Sequence, residues 1–158
     1  MKKSSTFFLR FVLFLITTFA LAGLIWFPRT EGRAANLNLL STYTDPFIIF
    51  SYIASIPFFV ALYQTYLLLG YVEKNKIFSQ TAIKAIRTIK YCALTIGGFL
   101  ILALLYIRTM VHGEDPAGPT MLGIVAIFIS IVIATSAGVF QKLLQNAIDI
   151  KSENDLTV

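Results

Sequence analysis

Four stretches of this chain are so continuously apolar that water is the wrong solvent for them. Residues 7–27, 47–72, 91–111 and 121–140 carry no Asp, Glu, Lys or His in their middles, and even the shortest would measure about 30 Å as a helix, the thickness of a bilayer's hydrocarbon core. In hydrocarbon every backbone N–H and C=O must be paired within the protein, which leaves helices or a closed barrel. Runs of this length without strict alternation select helices. Side chains that are 57% hydrophobic and 13% charged leave too little polar surface to cover a water-soluble globule of 158 residues. The chain therefore reads as all-α, an integral membrane four-helix bundle forming one domain over residues 1–158.

Charge orients it. The interval 73–90 between the second and third spans is the most basic, with Lys74, Lys76, Lys84, Arg87 and Lys90 against the single acid Glu73. Lys2, Lys3, Arg10, Lys142 and Lys151 fall on the same side of such a bundle, and Arg29, Arg33 and Arg108 on the other. The positive-inside rule then places both termini and the basic connector in the cytoplasm. Because orientation already accounts for these cations, the net charge of +5 does not point to direct nucleic-acid binding. Lys84, Arg87 and Lys90 share one side of the connector, where anionic lipid headgroups or a partner would meet them, lipid being the simpler occupant.

Within the first span, Ala20-Leu21-Ala22 has the form of a signal-peptidase site. Leu24, Ile25, Trp26 and Phe27 carry the apolar run past it, so a retained span is favoured. Pro28 is expected to end this helix, and Arg10 to snorkel to the headgroups. A polar external loop follows to Pro46, with a short helix expected near residues 39–43. The second span holds Pro57, a source of bending, and Gln64, whose amide needs a partner inside the bundle. Ser79 is placed to cap the third helix, and Gly97 and Gly98 allow a neighbour to come close. Ala126, Ser130, Ala134 and Gly138 recur every four residues on the fourth span, a ridge suited to packing within the bundle or against a second copy. Leu143, Leu144, Ala147 and Ile148 keep helical amphipathicity beyond it, so the third and fourth helices are expected to extend into the cytoplasm, the fourth by two or three turns within the tail 141–158.

No catalytic, cofactor or metal residue is assigned. Cys92 is the only cysteine and His112 the only histidine, on opposite sides of the expected membrane, which rules out a Cys-His pair. His112, Glu114 and Asp115 share one short outer loop and read as solvated. There is no HExxH and no phosphate-binding glycine loop. An enzyme is not expected. The mid-span charge of a proton-coupled transporter is also missing. A passive pore or an apolar-ligand sensor stays open, with Gln64, Ser51, Ser55, Thr17 and Thr18 as lining candidates.

Lys76-Ile77-Phe78-Ser79 opening the third helix, Ile86 and Ile89 leading into Tyr91, and the closing Glu153-Asn154-Asp155-Leu156-Thr157-Val158 together resemble a bacterial family, domain of unknown function 2975, of small four-span membrane proteins. The resemblance implies a multi-pass protein of the bacterial cell membrane and brings no catalytic residues. Family members are often encoded beside a small helix-turn-helix regulator of the Cro type, which implies by association that the two work together. The expected function is thus interaction or regulation, with a small cytoplasmic partner on the Leu143, Leu144, Ala147, Ile148 face; the alternative is a small transporter, pore or apolar-ligand sensor.

Overall fold

The computed structural model describes residues 3–30, 46–110 and 117–156. They form four helices: α1 (Lys3–Thr30), α2 (Pro46–Glu73), α3 (Gln80–Met110) and α4 (Ala117–Leu156). All four are long and apolar enough to cross a membrane. At 1.5 Å per residue α3 reaches about 46 Å and α4 about 60 Å, so both outrun the hydrocarbon core. The short helix expected near residues 39–43, and the loop holding His112, Glu114 and Asp115, lie outside the described residues.

The helices pack in chain order, α1 on α2, α2 on α3 and α3 on α4, the last pairing being the most extensive. Small residues set it. Gly97 is buried, and a Cβ built there would lie 3.6 Å from the Cβ of Ser130. A Cβ on Gly138 would lie 3.8 Å from Cδ of Lys90, and one on Gly123 only 2.6 Å from Cδ2 of Leu104. In each pair the residue numbers add to 227 or 228, a constant antiparallel register down the seam. Ser130 and Ala134 are buried in that seam and Ala126 is half-buried, so the small-residue ridge serves packing inside the bundle, where close approach replaces the missing hydrophobic drive. Aromatic contacts join α2 to α3: Phe50 meets Phe99 edge-on at 5.5 Å and Phe47 stacks on Tyr106 at 6.0 Å.

Two expectations are corrected. Pro28 does not end α1, which continues to Thr30. A proline cannot donate to the carbonyl four residues back, here Leu24; the Tyr52 hydroxyl donates to that oxygen at 3.0 Å instead. With the orphaned acceptor satisfied from α2, the helix survives its proline. The tail is also more helical than expected. Sixteen residues separate Phe140 from the end of α4 at Leu156, about four turns rather than two or three.

Candidate interaction surface

The expected cationic and partner-face residues lie at one end of the bundle, and the short chain between α2 and α3 builds it. Asn75 sits at φ 53°, the left-handed conformation that ends helices. Its N–H donates to the Val72 carbonyl at 3.2 Å, and the Lys76 N–H to the Tyr71 carbonyl at 2.8 Å, the paired bonds of a Schellman cap. Four residues on, the chain is helical again. Ser79 Oγ accepts the Ala82 N–H at 3.3 Å and donates to the Lys76 carbonyl at 2.7 Å, so Ser79 is the N-cap of α3. The turn is thus short and bonded at both sides.

From this cap, α3 presents two faces. Ala82, Ile83, Ala85 and Ile86 are buried, whereas Lys84 and Arg87 are exposed. Lys90, one turn on, is half-buried, its Nζ 5.4 Å from the centre of the Tyr91 ring. Lys74 and Lys76 are exposed in the turn. The acid that ends α2 is already engaged: Glu73 Oε2 accepts from Nη2 of Arg10 at 2.7 Å. Arg10 also lies 5.3 Å from the centre of the Tyr66 ring, and its buried Nε has no hydrogen-bond partner among the described residues. Arg10 therefore does not simply snorkel; it clasps α1 to the end of α2. No acid among the described residues pairs with Lys84 or Arg87.

The expected partner face on α4 divides. The register that sets Gly138 against Lys90 brings Leu144 level with Ile83, and Leu144, Ala147 and Ile148 are half-buried beside α3. Leu143 remains 58% exposed and Ile150, a residue the sequence reading left out, 61%. Helical periodicity identifies an apolar stripe but cannot say which part of it a neighbouring helix takes. The sign that would have found Ile150 is its spacing, seven residues from Leu143 on the same side. The two adjacent glycines also part company: Gly97 is in the α3–α4 seam, while Gly98 faces outward with nothing within 4 Å of a Cβ placed there.

The four hydroxyls expected as lining groups bond to carbonyls of their own helices. Ser51 and Ser55 donate to the Phe47 and Tyr52 carbonyls at 2.9 and 2.7 Å, and Thr17 and Thr18 to those of Leu13 and Phe14 at 2.8 and 2.9 Å. Gln64 is half-buried, and no hydrogen bond joins it to another described residue. Ser51 and Ser55 do border a cavity of about 320 Å³ between α2 and α3, which shares Phe47, Phe50 and Ala103 with a second of about 290 Å³. Aromatic and aliphatic side chains dominate the lining of both.

A family model described as protein of unknown function (DUF2975) matches residues 30–158. The whole chain is also 44% identical over 160 residues to the full length of the uncharacterized membrane protein YoaS of Bacillus subtilis (strain 168). No solved structure matches.

Proposed function

We propose that this multi-pass membrane protein, which belongs to the DUF2975 family, is a non-enzymatic interaction protein that holds a small cytoplasmic partner against the protruding end of α4. The observation that carries this reading is the length of α4. In the register of the seam, Gln80 at the start of α3 is level with Ala147, so residues 148–156 continue with no α3 beside them. A short helical projection with Ile150 exposed on it, and Leu143 exposed just before it, is marginal on its own and gains from a cover. It emerges at the basic end of the bundle, the end that the positive-inside rule assigns to the cytoplasm.

A small helix-turn-helix regulator of the Cro type is the partner this reading names, on the resemblance alone. Held at the membrane it is kept from DNA, and a change in the bundle that repositions α4 frees it. Co-purification of such a regulator with the full chain in detergent tests the idea. Capture is expected to fall at least tenfold with Leu143→Asp and Ile150→Asp, the loss of a central apolar contact, and to persist with Asn146→Asp. Equal capture by all of these would remove the reading.

The apolar cavities between α2 and α3 support a second reading, an apolar-ligand sensor. Its expected outcome is a rise in melting temperature with a long-chain fatty acid, abolished by Ala103→Phe, which fills the space common to both cavities. No shift with the unmodified chain would dismiss it. A pore would instead give liposome flux that depends on Gln64.

A further inference from the structure

We infer that the outer face of α3 is a binding site for an anionic phospholipid, with Lys84 and Arg87 on its phosphate and the apolar stripe past Gly98 on an acyl chain. The face is a single stripe. Lys84, Arg87, Tyr91, Leu94, Gly98, Ile101 and Leu105 follow one another at spacings of three and four and every one is exposed, so they form one continuous side of the helix. Its chemistry changes along its length as a phospholipid's does. Two cations without an acid among the described residues come first. Tyr91 follows about one turn later, at the level where aromatic side chains favour the membrane interface. Leu94, Ile101 and Leu105 then continue for about 16 Å along the helix from Leu94, flanking the notch that Gly98 leaves open.

This continuity selects lipid over a soluble protein. A protein docked on Lys84 and Arg87 from the water side would stop at the interface, whereas the same stripe runs without a break into a span that crosses the membrane. Charge selects the headgroup. No ion pair joins Lys84 or Arg87 to an acid among the described residues, so the basic face is uncompensated and matches an anionic rather than a zwitterionic surface. The site lies on α3 and its lipid does not depend on a cytoplasmic partner held by α4.

The test uses the full chain in nanodiscs of phosphatidylcholine, with phosphatidylglycerol titrated in and lipid contact read by quenching of the native tyrosines with brominated lipid. The unmodified chain is expected to prefer phosphatidylglycerol. Lys84→Gln and Arg87→Gln should each lower that preference about fivefold, as expected for one basic side chain at an anionic surface. Lys151→Gln, on the projecting tail, should leave it unchanged. Gly98→Phe should reduce quenching by both lipids, because it interrupts the apolar stripe. A preference unaltered by the Lys84→Gln, Arg87→Gln double variant overturns the inference, as does loss of the preference on adding inorganic phosphate, which would assign the cations to a soluble anion. Retention of an acidic protein by Lys84 and Arg87 with no lipid preference overturns it in favour of a protein partner.

Discussion

Asn75 is a single residue on which the α2–α3 turn depends. At φ 53° a side chain with a Cβ sits in a region that costs most L-residues about 1–2 kcal/mol, a cost that Asn bears better than others and Gly escapes. Asn75→Gly should therefore match or slightly raise the melting temperature in detergent, while Asn75→Val should lose about 1–2 kcal/mol of stability. Equal melting of the two variants would mean that the turn does not hold the left-handed conformation. A different balance applies to the Arg10–Glu73 clasp. Both side chains are about one-third exposed, so water and salt screen the pair. A double-mutant cycle between Arg10→Gln and Glu73→Gln should give a coupling of about 0.5 kcal/mol, shrinking in high salt.

Between elements, stability turns on what a helix lacks and which neighbour supplies it. Tyr52→Phe removes the donor to the Leu24 carbonyl, and a lost hydrogen bond between membrane helices costs about 0.6 kcal/mol. In a Pro28→Ala background the restored N–H of residue 28 reaches the same oxygen, so the cost of Tyr52→Phe should vanish there; an undiminished cost would detach the hydroxyl from the proline. Glycines on the two helices of the seam give a contrast of sign. Gly123→Ala drives a Cβ into Leu104 and should destabilise by about 1–3 kcal/mol. Gly98→Ala meets nothing and should stabilise by up to about 1 kcal/mol, the difference in helix propensity. Hydropathy made the existence of all four helices legible, and Ser79 was legible as a cap because hydroxyl caps have a local signature. Pro28, Gly123 and the division of Leu143 from Leu144 were not, since each is decided by a side chain far away in sequence: Tyr52, Leu104 and Ile83.

At the scale of the whole molecule, the contacts gather three chain landmarks at one end. Arg10 on Glu73 brings the start of α1 beside the end of α2, the six-residue turn starts α3 there, and the antiparallel seam returns the end of α4 to the same level. That end carries the exposed Lys74, Lys76, Lys84, Arg87, Lys142 and Lys151. The other end has Arg29 at the end of α1 and Arg108 near the end of α3, with Arg33 in the adjoining sequence. An excess of Lys and Arg in short segments beside the spans resists translocation, and on that ground we propose that the basic end faces the cytoplasm. Cys92, the only cysteine, is buried and can be replaced by serine to clear the background for labelling. In that variant, Asn36→Cys should react with a membrane-impermeant maleimide on intact cells. Lys76→Cys and Ser152→Cys should react only after the membrane is opened. The swapped pattern, with Lys76→Cys and Ser152→Cys labelled on intact cells and Asn36→Cys only after opening, would invert the bundle and expose the projecting α4 to the exterior. Labels at 76 and 152 on opposite sides would break the pairing of α3 with α4 on which the partner surface is built.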